Sequence, residues 1–379
     1  MLSSFAADRA RVAALEAQIL GLQNTLSALR LEQAQAQSRL DSYKYPVLTL
    51  PNEIIAEIFL HIPPPYPNCS SLTGTLSPTS LTHICREWRQ IALSIPSLWR
   101  AMDLSNNDTP LEQRVYICDL WLKWSRSCPL SIEFDTHRDN NSAAESAVTE
   151  LIASHCPYLK HLKLVVLFDG LDTIEGRSMP LLHHLDLDVR TLYDTKISFG
   201  QLPLLRSAVL SGLAALFVLL PWAQLTSLVL NKVYLDECVP ILQQTSNLIH
   251  CELLRVYCPP DHAGVATLPC LESLVLKSMS FQNTAEYLQS FITPALHRLI
   301  ISEQLLGHEP IRSLTNFISK SGAKLKEVHI VGRKSVPKNS YREALQSVPR
   351  LFFSKQELDH RISIAELEIE SESDSSNAV

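Results

Sequence analysis

A six-residue phrase, L-x-x-L-x-L, recurs along most of the chain and limits its fold more than any other feature. It reads LKHLKL from Leu159, LHHLDL from Leu182, LRSAVL from Leu205 and LTSLVL from Leu225. It continues as LIHCEL from Leu248, LESLVL from Leu271, LHRLII from Leu296 and LKEVHI from Leu325. Successive starts differ by 23, 23, 20, 23, 23, 25 and 29 residues. The last two apolar positions of each phrase sit two apart, as on a strand with one buried face. Weaker copies precede them at 99–104 and 129–134, and helix-like pieces fill the intervals at 143–155, 236–244, 283–291 and 311–320. A unit of one strand and one connection cannot bury its own leucines, so neighbours must stack into a curved array. The predicted class is α/β: a leucine-rich-repeat solenoid over 105–360, with a curved parallel sheet and outer helices. Leu167 and Arg190 stand where the standard repeat carries Asn or Cys, so irregular, longer repeats are expected.

The repeat also accounts for an imitation of a membrane span. Residues 207–231 carry no charge over 25 positions, enough to cross a bilayer. Pro221, Gln224, Thr226 and Ser227 interrupt the second half, and the segment fits the repeat frame as buried core. No membrane partner is expected. Net charge is −6 with a pI near 6.1, and no Lys/Arg-rich stretch is present, so no nucleic-acid partner is expected either. The nine cysteines include no CxxC pair, which suggests free thiols in a reducing compartment, cytoplasmic or nuclear.

Ahead of the repeats lie two further segments. In 1–45, Val12, Leu15, Ile19, Leu22, Leu26, Leu29, Gln33, Ala36 and Leu40 alternate steps of three and four, a coiled-coil seam. The seam suits a homodimer through 12–40, a helix folded back on its own chain, or a marginal isolated helix. In 46–104, LPNEIIAEIFLHI at 50–62 places Leu50, Ile54, Ile55, Ile58, Phe59 and Ile62 along one helical stripe, with Pro51 in the first turn. A proline-rich loop is expected over 63–80. A second helix is expected over Leu81, Ile84, Cys85, Trp88, Ile91 and Ala92, stopped by Pro96. Trp99, Met102 and Leu104 then alternate as a strand would. The acidic, serine-rich residues 361–379 read as a disordered tail.

Little in the chain points to catalysis. There is no phosphate-binding GxxxxGK or GxGxxG loop, no GxSxG elbow and no HExxH. His183 and His184, adjacent on a strand, would face opposite ways. Cys251, Cys258 and His262 are badly spaced for a metal, and Asp186 and Asp188 read as exposed strand carboxylates. No catalytic residue, metal or cofactor is expected.

Residues 46–104 resemble an F-box domain. The opening, Leu50 and Pro51 followed by Glu53 and the run Ile54, Ile55, Ile58 and Phe59, matches one half of that family's pattern. Ile84-Cys85-Arg86-Glu87-Trp88 and the pair Leu98-Trp99 match the other half. The whole chain resembles fungal F-box proteins with degenerate leucine-rich repeats; the loop at 63–80 is longer and richer in proline than usual, leaving the middle F-box helix unplaced around Leu72 and Leu76. The resemblance implies a non-catalytic substrate receptor of an SCF-type ubiquitin ligase, docked on a Skp adaptor and through it on a cullin–RING pair. It implies an adaptor-binding set of Leu50, Pro51, Ile54, Ile55, Ile58, Phe59, Leu81, Ile84 and Trp88, with Trp88 and Trp99 also anchoring the domain core. The repeats would recruit a protein substrate through positions between the leucines: Lys160, Lys163, His184, Asp186, Glu272, Arg298 and Lys326. The alternative is an interaction scaffold with no part in ubiquitination.

Overall fold

The leucine phrases become strands of one parallel sheet. The computed structural model describes residues 2–42, 46–105, 109–135, 142–166, 171–189, 196–255, 264–277, 287–332 and 335–354. Its strands are β1 (Ser70–Ser71), β2 (Ala101–Asp103), β3 (Leu130–Asp135), β4 (Leu159–Val166), β5 (His184–Val189), β6 (Ile197–Ser198), β7 (Ser207–Gly212) and β8 (Val218–Leu219). They continue as β9 (Ser227–Asn231), β10 (His250–Leu254), β11 (Ala266–Thr267), β12 (Ser273–Lys277), β13 (Phe291–Ile292), β14 (Arg298–Ser302), β15 (Glu327–Val331) and β16 (Arg350–Ser354). Twelve form one sheet in the order β1-β2-β3-β4-β5-β7-β9-β10-β12-β14-β15-β16. Every pairing is parallel, and every strand lies between its neighbours in chain order.

Register converts the phrases into a core. Leu162, Leu185, Ala208, Leu228, Cys251, Leu274, Leu299 and Val328 align across eight strands, and Leu164, Leu187, Leu210, Leu230, Leu253, Leu276, Ile301 and Ile330 form a second row two residues on. All sixteen are 0% exposed. The leucine opening each phrase is buried too, from Leu159 to Leu325. The connections carry α4 (Leu111–Ser125), α5 (Ser142–Ser154), α6 (Ala214–Phe217), α7 (Leu235–Leu242), α8 (Pro310–Ser321) and α9 (Lys338–Ala344), following α1–α3 below. They also carry two small sheets, β6–β8 and β11–β13; α7 packs on β11, and α8 on β13. The uncharged segment 207–231 is divided among β7, α6, β8, the 3-10 turn Trp222–Gln224 and β9. Among the described residues, no helix is long and apolar enough to cross a membrane.

The chain divides into two compact units, Met1–Ile58 and Phe59 onward. The first holds α1 (Leu2–Ser42) and most of α2 (Asn52–Leu60). Every described side chain of α1, from Phe5 to Ser42, is exposed. α2 starts where the carbonyl of Pro51 accepts from the amides of Ile54 and Ile55, at 3.0 and 3.1 Å.

Three expectations for 63–105 need correction. The proline-rich stretch is not all loop, since Ser70–Ser71 adds the first strand of the sheet beside β2. The single helix expected from Leu81 is broken: a 3-10 segment covers Pro78–His83, and α3 runs from Arg86 to Ser94. Cys85 makes the break, because its extended backbone (φ −154, ψ 170) ends the first segment, and its Sγ accepts from the Trp88 amide as the cap of the second. Trp99 is not in a strand but closes the 3-10 segment Pro96–Trp99, where its indole N–H donates to the Ala92 carbonyl at 3.0 Å. Leu72 is buried and Leu76 exposed, on no α-helix. Of 283–291, the structure shows only a 3-10 turn, Tyr287–Ser290, and strand β13; residues 283–286, Leu167, Arg190, Cys258, His262 and the tail 361–379 lie outside the described residues.

Candidate functional site

The stripe on α2 splits in two. Ile55 and Phe59, one turn apart, are 1% and 0% exposed, and Phe59 meets the Trp88 ring edge-to-face at 4.9 Å. Leu50, Ile54 and Ile58 follow each other at the same four-residue step and stand 38%, 49% and 44% exposed, with Pro51 exposed beside them. A helix that buries one apolar row and leaves the adjacent row to solvent presents a ready hydrophobic ridge. Elsewhere, Leu81 is buried, Trp88 is half-buried and Ile84 is exposed, lying in the turn between the 3-10 segment and α3. The nine residues of the resemblance thus divide into a buried set (Ile55, Phe59, Leu81), a half-buried Trp88 and an exposed set (Leu50, Pro51, Ile54, Ile58, Ile84).

The sheet face opposite the leucine core is graded in character. At its start, Asp103, Glu133, Lys163 and Asp186 stand in register across β2, β3, β4 and β5. The Lys163 ammonium pairs with the Glu133 carboxylate; burial lowers its pKa, but Glu133, with Asp186 and Asp103, raises it on balance. Asp186 lies beside the pair; burial, opposed in part by Lys163, pushes its carboxyl up to about 6. One row nearer the strand starts, His161 and His184 stack obliquely with centroids 6.2 Å apart, and the His184 Nδ1 lies 3.1 Å from the Ser207 hydroxyl. Burial and neighbouring positive groups push His161 down to about 4, so it is neutral at physiological pH. Further along the sheet the same face turns apolar, with Leu254, Val275, Ile300 and Val331 packed together and Val229 against them.

A residue from the proline-rich loop completes the charged end. Tyr66 lies edge-on to His161 at 5.5 Å, beneath the Arg100 guanidinium at 4.1 Å and the Lys160 ammonium at 5.6 Å. The loop is tied to β3 by the Ser131 hydroxyl, which donates to the Pro67 carbonyl at 2.6 Å, and by Cys69, whose Sγ lies 3.3 Å from the Ser131 Oγ. Burial pushes the Tyr66 hydroxyl and the Cys69 thiol each up to about 12, which keeps both protonated.

Of the seven positions expected to face a substrate, the structure brings Lys160, Lys163, His184 and Asp186 into this one cluster. Arg298 sits apart with its Nε 3.0 Å from the Glu327 carboxylate, and Glu272 and Lys326 are exposed just before β12 and β15. Sequence reasoning did not include Tyr66, Arg100 or Glu133. Glu133 was within reach, since it lies on the weak phrase copy at 129–134. Tyr66 was not, because an aperiodic loop carries no sign of the face it will cover. The eight described cysteines are all free, and burial keeps thiols such as Cys118 and Cys156 protonated, with pKa values near 12 and 11. Among the described residues, no group of three His, Cys, Asp or Glu side chains could hold a metal ion.

No protein-family model matches the chain, and no curated protein is measurably similar to it.

Proposed function

We propose that the protein is a non-catalytic substrate receptor of an SCF-type E3 ubiquitin ligase. In this reading, 46–104 is an F-box that binds a Skp adaptor and through it a cullin–RING pair, and 105–360 is a leucine-rich-repeat array that recruits a protein substrate. The protein then works in the cytoplasm or nucleus, where such a ligase acts. The observation that carries the proposal is the exposed row Leu50, Ile54 and Ile58, following the Leu-Pro opening of α2, beside a buried row that fixes the helix. Such a row contributes less to the domain's own packing than the buried row does, and gains from a partner that covers it. The substrate in this reading meets the sheet face opposite the leucines, at the charged end around Lys160, Lys163, His184 and Asp186.

The test is co-purification of the full chain with a Skp adaptor, the wild type against Leu50→Ala/Pro51→Ala and against Ile54→Asp/Ile58→Asp. Both variants are expected to keep the wild-type circular dichroism spectrum and to lose the adaptor. A wild-type chain that fails to capture adaptor and cullin leaves the scaffold reading instead. Adaptor binding that survives both variants removes this ridge from the interface.

A further inference from the structure

We infer that α1 forms a parallel, in-register, two-stranded coiled coil with a second copy of this chain. The inference stands apart from the ubiquitin-ligase reading.

α1 runs for 41 residues with all its described side chains exposed. A helix of that length gains most of its stability from packing an apolar face, and every described side chain of this one is exposed. Its seam residues Val12, Leu15, Ile19, Leu22, Leu26, Leu29 and Leu40 are 42–70% exposed. The alternative of a helix folded back on its own chain leaves no such continuous open seam.

The seam also specifies the occupant. The first core position of the heptad holds Val12, Ile19 and Leu26, and the second holds Leu15, Leu22 and Leu29. Branched Val or Ile at the first with Leu at the second favours two parallel strands. Gln33 falls at a first core position, where a polar residue pairs with its own copy only when the helices are in register. The flanking charges agree. In a parallel dimer, Arg11 faces Glu16 of the second copy, twice by symmetry. The remaining facing pairs are Gln18 with Gln23, Thr25 with Arg30 and Glu32 with Gln37, and none sets like charges together. An antiparallel pairing of the same leucines sets Arg11 against Arg39, offset by Glu16 against Arg30, but buries Gln33 opposite Leu15 instead of its own copy. The consequence is a bivalent protein: two copies of the repeat array joined through α1, able to engage two sites of one partner with raised effective concentration.

The experiment uses the full chain. Light scattering across a micromolar concentration series is expected to give twice the chain mass. Donor and acceptor dyes on the N-terminal amines are expected to transfer energy strongly, because parallel helices bring those ends together. Antiparallel helices would separate them by about 60 Å over 41 residues. Glu16→Arg alone and Arg11→Glu alone should each weaken the dimer about tenfold, and the double variant should restore it. Leu22→Lys/Leu26→Lys should yield a folded monomer with the unfolding transition of the rest of the chain unchanged. A monomeric wild type, a trimer, weak transfer between N-termini, or a double variant no better than the singles would each overturn the inference.

Discussion

At the residue scale, neighbouring side chains on α2 meet opposite surroundings. Phe59 is fully buried against Trp88, so Phe59→Ala should cost about 3–5 kcal/mol in chemical denaturation. Ile58, adjacent in the chain, is exposed, and Ile58→Ala should stay within about 0.5 kcal/mol; on the proposed function it should also weaken adaptor capture. Asp186 offers a pH readout. Its carboxyl is raised to about 6, so the folded chain holds a proton there more tightly than the unfolded chain does. Stability therefore falls as pH rises from about 4 through 6, and the cost stays constant above that. Asp186→Asn removes it: the variant should be more stable at pH 8, on the order of 1–3 kcal/mol, with the difference vanishing below pH 4. A denaturation series across pH measures both limbs. A wild-type advantage at pH 8 would mean that attraction to Lys163 outweighs burial.

At the scale of elements, what was legible depended on repetition. Strands β4 to β15 of the main sheet were marked by the recurring phrase, because every second side chain must enter the same core. Helices α5, α7 and α8 were legible from their periodicity. The break at Cys85 was not, since Leu81, Ile84 and Trp88 keep helical spacing on both sides of it. Only the cap shows that two segments meet there. Cys85→Ser should keep the cap and the stability, whereas Cys85→Ala should lose about 0.5–2 kcal/mol. Strand β1 was hidden because two serines in a proline-rich stretch have no pattern, and backbone pairing with β2 places them. For the same reason Tyr66, which lies against His161, Arg100 and Lys160, could not be foreseen. The outer connections hide a steric demand as well. A Cβ on Gly200 would lie 2.8 Å from both the Gly176 carbonyl and the Ser178 amide nitrogen. Gly200→Ala should therefore push two successive connections apart and cost about 1–3 kcal/mol, while Gly21→Ala, in open space on α1, should cost nothing.

For the whole molecule, stability is distributed along the sheet. Leu187 is fully enclosed in the ladder between β4 and β7, while Leu351 on terminal strand β16 is only half-buried. Leu187→Ala should lower the denaturation midpoint by the equivalent of about 2–5 kcal/mol, and Leu351→Ala by clearly less. The strand order carries a further consequence. Each strand of the main sheet is hydrogen-bonded to the main-sheet strands made before and after it, so none of these waits for a partner from the far end of the chain. A chain leaving the ribosome can therefore lay each turn on the previous one, and a pull on its far end should peel those turns away singly, in reverse.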